Sequence, residues 1–259
     1  MRVLLLRPAA EKKSMARVLP LGLLAIGSVL KRAGHQVKIL DLRISNSPDE
    51  ELSSVMKSFN PQVVGIGVMT IECKYGFIDA AKVKKLNPDV TIIFGGPHCS
   101  HEPRFILNDP NVDLMVSGEG DLTITELIDA LEQGRDIENI AGIAYKKNGS
   151  YIRTADRPVI RDLDKFDQEY DLINLERYFN FQSSMDFFPV FRNKRFLPLV
   201  TSRGCPFKCT YCHDIFDKSI QYRSPEAVVD EIEYLINKYG VREFHIVDDV
   251  FNVNMKRAK

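Results

Sequence analysis

The sequence predicts an α/β protein: a flavodoxin-like doubly wound parallel sheet, followed by a second segment that opens with a strand, a helix and a strand. Three observations predict it. Strand and helix signals alternate over the first 140 residues. The alternation yields five strands separated by helices, and short connections with right-handed crossovers assemble such units into a parallel sheet. The pattern breaks after residue 140 and resumes near residue 196 with another strand, helix and strand.

The elements follow in order. "RVLLL" (2–6) is a short apolar run that reads as a buried strand. A helix pattern runs from Pro20 to Ala33, with Leu23, Ile26, Leu30 and Ala33 on one side and Gly34 as its stop. "QVKIL" (36–40) ends at Asp41. "PDEELSSVMKSF" (48–59) has proline at its first position and acids in its first turn, where a helix favours both. "QVVGIGV" (62–68) is a strand, and a helix pattern covers roughly 72–86. "VTIIF" (90–94) runs into "GGPHCS". "VDLMV" (112–116) runs into "SGEGD" and then a helix from about 121 to 132. Five βα units suit the order 2-1-3-4-5, whose ligands lie beyond the carboxyl ends of the strands. In "GIAYKKNGSYIRT" (142–154), Asn148-Gly149 marks a hairpin turn. The charged, aromatic stretch that follows reads as a connector. "FLPLV" (196–200) is a new strand. Ser224-Pro225-Glu226 opens a helix to about Tyr239, with Val228, Ile232 and Leu235 inward and Gly240 as its stop. "EFHIV" (243–247) is a further strand and ends at Asp248-Asp249. The expected domains are 1–140, a connector with hairpin at 141–195, and 196–259.

Composition bounds the function. Lysine plus arginine equals aspartate plus glutamate, 35 each, so no net charge draws the chain to nucleic acid. No apolar run reaches the length of a membrane span, and the amino terminus lacks a secretory pattern. The five cysteines are an odd number with three clustered, which suggests a reduced, cytoplasmic, metal-binding protein rather than a disulfide framework.

The cluster is "GCPFKCTYC", with Cys205, Cys209 and Cys212. Thiolates are soft ligands and suit zinc or iron–sulfur clusters. Structural zinc and ordinary clusters take four protein ligands. No second cysteine pair completes a zinc ribbon, and His213 directly follows Cys212, too close to join the same metal with ease. A C-x3-C-x2-C loop can hold three corners of a 4Fe-4S cube and leave the fourth iron open.

This segment, placed after a strand and with Tyr211 just before its last cysteine, resembles the signature of the radical S-adenosylmethionine (radical SAM) superfamily. The resemblance implies that Cys205, Cys209 and Cys212 ligate the cluster, that S-adenosylmethionine binds the open iron, and that Tyr211 lies near the adenine. It places Asp248-Asp249 near the methionine amine, where the superfamily commonly has Gly-Gly-Glu. His245, inside a strand, reads as packed.

The first domain carries neither G-x-G-x-x-G after its first strand nor a phosphate loop. "PLGLLAIGSVLKRAGHQVKILD", "PQVVGIGVMT", "FGGPHCS" and "GEGD" instead resemble, in this order, the cobalamin-binding domain that precedes the radical SAM core in its cobalamin-dependent branch. That branch includes the anaerobic magnesium-protoporphyrin monomethyl ester cyclase and many methyltransferases. The resemblance implies that Met69, Thr70, Gly95, Gly96, Pro97, Gly118 and Glu119 border the corrin or its tail. The sequence lacks the Asp-x-His-x-x-Gly of methionine synthase-type domains and has Gly67 where these have serine, so His98 reads as a rim residue rather than a cobalt ligand. The implied function is radical-based methyl transfer or oxidative cyclisation of a small molecule or cofactor precursor, with a flavodoxin or ferredoxin as reductant. Alternatives on the same residues are a radical SAM enzyme without cobalamin, a corrinoid-binding docking module without turnover, and a zinc-binding interaction module. From Phe196 onward there is room for few of the family's barrel units, so the chain reads as a poorly active amino-terminal fragment of such an enzyme.

Overall fold

The structure is a computed structural model, and it describes residues 1–9, 18–179, 193–212, 215–216 and 218–258. These fall into two compact units. The first holds the described residues of 1–13, 20–158 and 168–173; the second holds those of 14–19, 159–167 and 174–259.

In the first unit the elements run β1 (Arg2–Arg7), α1 (Leu21–Arg32), β2 (Gln36–Asp41), α2 (Pro48–Phe59), β3 (Val63–Gly67), α3 (Cys73–Leu86), β4 (Thr91–Gly95), α4 (Pro97–His101), α5 (Pro103–Leu107), β5 (Leu114–Val116), α6 (Gly120–Gln133), β6 (Ile143–Lys147) and β7 (Ser150–Arg153). The sheet order is β2-β1-β3-β4-β5-β6-β7. The first five strands are parallel, in the predicted order 2-1-3-4-5, and β6 and β7 are antiparallel. The Asn148-Gly149 hairpin therefore continues the sheet at its β5 edge, with both turn residues at positive φ as a two-residue hairpin requires.

The sheet is buried on both faces, which explains why its strands are apolar runs and not alternations. Leu4, Leu6, Val64, Ile66, Ile92 and Phe94 form one face with Leu52 and Met56 of α2 and Ala80 and Val83 of α3. On the other face α1 lies beside α6. There the structure corrects the expected stripe. Leu24, Gly27, Ser28, Val29 and Leu30 are buried, Leu23 and Ile26 are half-buried, and Ala33 is exposed. The helix comes so close that a Cβ on Gly27 would lie 3.2 Å from Ile39 and 3.4 Å from Leu5. Close packing through small residues leaves no trace in a pattern of large apolar ones.

The second unit contains β8 (Phe196–Leu199), β9 (Ser202–Arg203), β10 (Gln221–Tyr222), α7 (Pro225–Tyr239), β11 (Glu243–Ile246) and α8 (Met255–Ala258). Strands β8 and β11 pair in parallel across α7, making one βαβ unit. Ser224 caps α7, accepting from the Ala227 N–H at 3.1 Å, with Pro225 at the first position and Gly240 left-handed at the end. The short antiparallel β9–β10 pair was not expected from sequence; two residues carry no periodicity.

Candidate functional site

Two groups of predicted residues are each brought together by local structure. In the first unit they gather along the carboxyl edge of β3, β4 and β5. Gly67 and Gly95 are register partners, and the Val68 N–H donates to the Gly95 carbonyl at 2.9 Å. Met69, Thr70, Gly96, Pro97 and Gly118 are exposed along this edge, Gly95 is half-buried, and Glu119 is buried at the start of α6. Gly96 has φ +101°, and a Cβ there would meet the Val68 carbonyl at 2.7 Å, so only glycine lets the β3 and β4 exits run this close. His98, on α4, shares a hydrogen bond of 3.2 Å with the Thr70 hydroxyl and meets Phe105 edge-on. Met69, Ile71 and Phe105 are large apolar side chains left exposed on these exits, Ile71 to 60% and Phe105 to 55%. Apolar surface of this kind, beside backbone stripped of side chains, suits a broad flat ligand.

Sequence reasoning missed the support beneath that edge. Glu72 is buried, accepts from the Met69 N–H at 3.2 Å and lies 3.0 Å from Arg43 and 3.5 Å from Arg7; Arg7 also lies 3.5 Å from Asp41. Burial and then the neighbouring Arg7 hold the Arg43 guanidinium below its usual value, while Glu72 and Asp41 counter them. These residues come from the ends of β1 and β2 and from the β3 exit, far apart in sequence, and the charges alone gave no sign of their meeting.

In the second unit the three cysteines lie on the loop that the β9–β10 pair closes at its base. Cys205 is half-buried and Cys209 and Cys212 are exposed, and none is in a disulfide. The Cys212 N–H donates to the Cys209 carbonyl at 3.2 Å, a tight turn between the last two thiols. Tyr211 is 91% exposed, its ring offered outward beside them. Gly204 has φ +88°, and a Cβ there would lie 2.2 Å from the Ser219 carbonyl. At the end of β11, Asp248 accepts from the amides of Thr201 and Ser202 and from both hydroxyls, while Asp249, which is exposed, accepts from the Gly204 N–H at 3.2 Å. His245 is half-buried within β11. His213 lies outside the described residues.

Cys73 and Cys99 belong to the first unit and are buried. Burial pushes the Cys73 thiol up to about 11, and pushes Cys99, whose neighbour is Cys73, well above the usual thiol range. They are packing residues. Among the described residues, one group of His, Asp and Glu brings its ligand atoms together: His35, Asp129 and Glu132. The Met1 nitrogen lies 3.0 Å from His35 and 2.5 Å from Glu132.

Residues 13–128 match the family model of the B12 binding domain, and residues 199–259 match that of the Radical SAM superfamily. The chain belongs to the cobalamin-dependent radical SAM family. An uncharacterised methyltransferase of Pyrococcus horikoshii is 35% identical over 100% of the chain and 55% of its own length. The anaerobic magnesium-protoporphyrin IX monomethyl ester cyclase of Synechocystis is 30% identical over 98% of the chain and 50% of its own length. The chain thus spans about half the length of the curated relatives it matches. The radical SAM methyltransferase TsrM of Kitasatospora setae, solved with tryptophan substrate and a SAM analogue, superposes with a TM-score of 0.78 at 22% identity. That match covers 99% of this chain and 49% of TsrM, and TsrM is also solved with cobalamin and a 4Fe-4S cluster bound. The chain thereby shares the fold of the matched half of TsrM. Among the described residues, no helix is long and apolar enough to cross a membrane.

Proposed function

We propose that this chain supplies the corrinoid-binding and cluster-bearing units of a cobalamin-dependent radical SAM enzyme, acting on a small molecule and fed electrons by a flavodoxin or ferredoxin. The observation that carries the reading is the three-cysteine loop. Its three cysteines share one loop, two of them exposed and Cys205 half-buried, and the two remaining cysteines are buried in the other unit. The donor set fits an iron–sulfur cluster with one iron not held by a cysteine. The exposed apolar side chains and bare glycine backbone at the β3–β5 edge fit a corrin face.

Cys205, Cys209 and Cys212 would hold the cluster, with Tyr211 beside the adenine and the acidic end of β11 next to the loop. Met69, Thr70, Gly95, Gly96, Pro97 and Gly118 would line the corrin, and Glu119 would anchor the helix start behind them. When bound, the cluster supplies an electron, S-adenosylmethionine a carbon radical, and cobalamin a transferable methyl group. The chain's own residues hold and orient: thiolates present three ligands, the β9–β10 pair closes the loop, and the Gly96 turn brings two strand exits together. Methyl transfer is favoured over oxidative cyclisation because the relative of 35% identity carries a methyltransferase name and the cyclase stands at 30%.

Oxygen-free reconstitution with iron and sulfide tests this. About four irons per chain and a reduced-cluster electron paramagnetic resonance signal are expected, both lost on Cys205→Ser, Cys209→Ser or Cys212→Ser. Zinc in place of iron would sink it.

A further inference from the structure

We propose that Asp248 is a positioning residue: it sets the path of the chain into the three-cysteine loop and takes no part in binding S-adenosylmethionine. The inference rests on the reading of this loop as the cluster loop.

The geometry is specific. One carboxylate oxygen of Asp248 accepts from the Thr201 N–H at 2.7 Å and the Ser202 N–H at 3.0 Å. The other accepts from the Thr201 hydroxyl at 2.5 Å and the Ser202 hydroxyl at 2.8 Å. A carboxylate offers about four lone-pair sites, and these four donors take them. An ammonium group would have to displace one. Thr201 and Ser202 are each 2% exposed, so water cannot replace Asp248 as their acceptor.

The same stretch is tied from other sides. The Thr201 carbonyl accepts from the Arg223 N–H at 3.0 Å and from the Arg257 guanidinium at 2.6 Å. Arg203 pairs with Gln221 in the β9–β10 ladder. Gly204 takes its left-handed turn with its N–H on Asp249. Every residue from 201 to 204 is therefore held before Cys205, and Asp248 holds two of them with one side chain. The acidic pair divides by burial: Asp248 is half-buried and takes four donors, whereas Asp249 is exposed and takes the Gly204 N–H.

The full chain carrying Asp248→Asn or Asp248→Ala decides the matter. Asparagine keeps a carbonyl oxygen for both amides, and the hydroxyls can rotate to accept from its NH2, so the tether survives without the charge. Hydrogen exchange is read on the cofactor-free protein across residues 196–205. Iron content and S-adenosylmethionine affinity are read after reconstitution. Asp248→Asn should retain wild-type exchange and an affinity within about threefold, while Asp248→Ala should speed exchange by about tenfold or more and lower iron content. Loss of affinity beyond about tenfold in Asp248→Asn, with exchange and iron content unchanged, would assign the charge to the ligand and overturn the proposal. Wild-type exchange in Asp248→Ala would overturn it as well. Zinc in place of iron in the wild-type chain, together with faster exchange in Asp248→Ala, would overturn the cluster reading and still support the tether.

Discussion

Five identical thiols divide into two chemistries by environment alone. Cys73 and Cys99 sit where a thiolate would lose its water, and burial raises both. On their shared loop Cys209 and Cys212 are exposed and Cys205 is half-buried. In the cluster-free protein at pH 8, alkylation should therefore label three cysteines quickly and leave two, as peptide mass mapping would report. The sign of the pH dependence follows from the raised value. Folded Cys73 keeps its proton up to about 11, against 9.0 when unfolded, so the folded state binds more protons in that interval. The stability it contributes is present below 9.0 and declines as pH rises toward 11, and its labelling should accelerate over the same range. A second residue-scale outcome concerns Gly204. Alanine there would strain a left-handed backbone and collide with the Ser219 carbonyl, so Gly204→Ala should lower thermal stability by about 1–3 kcal/mol and reduce iron uptake. The cysteine spacing and the glycine were visible in the sequence. The left-handed turn, and the carbonyl it faces, depended on Ser219 arriving from the far side of the loop.

At the scale of elements, boundaries came from chemistry that acts within a few residues. Pro48 with its acids, Ser224-Pro225 and Gly240 each mark a helix end, and each was legible because it acts locally: a proline has no N–H to leave unpaired, acids face the positive end, Ser224 accepts a backbone N–H and Gly240 takes the left-handed turn. Ser224→Ala should accordingly cost about 1 kcal/mol in urea unfolding. The β3 exit is a different case. Its shape depends on Glu72, whose partners Arg7, Arg43 and the Met69 amide belong to three segments. Glu72→Ala leaves two largely buried guanidinium groups with Asp41 as the carboxylate beside them, and should destabilise the first unit by about 3 kcal/mol. Glu72→Gln should cost less, because it keeps an acceptor for Met69. The same unfolding titration reads both. The packing of α1 belongs here too: a stripe drawn through Leu23, Ile26, Leu30 and Ala33 missed Gly27 and Ser28, which are buried because they are small.

For the whole molecule, the residues proposed to line the corrin lie in one unit and the cysteines proposed to hold the cluster lie in the other. The triple variant Cys205→Ala, Cys209→Ala, Cys212→Ala should therefore lose iron and still bind hydroxocobalamin with wild-type affinity, measured by difference absorbance. Loss of corrinoid binding in that variant would show that the two are coupled.

By itself the sequence determined the alternation of strands and helices, the order 2-1-3-4-5, the Asn148-Gly149 hairpin and the three cysteines that mark the family. These are matters of period, cap and spacing, written in neighbouring residues. Only the tertiary structure decided that the hairpin extends the sheet, that Cys73 and Cys99 are silenced by burial, that Glu72 stands between two arginines, and that Asp248 is half-buried on four donors while Asp249 is exposed. Each of these depends on which distant groups share a desolvated space, and the energy of a charge or a hydrogen bond there depends on those partners rather than on the residue's position in the chain.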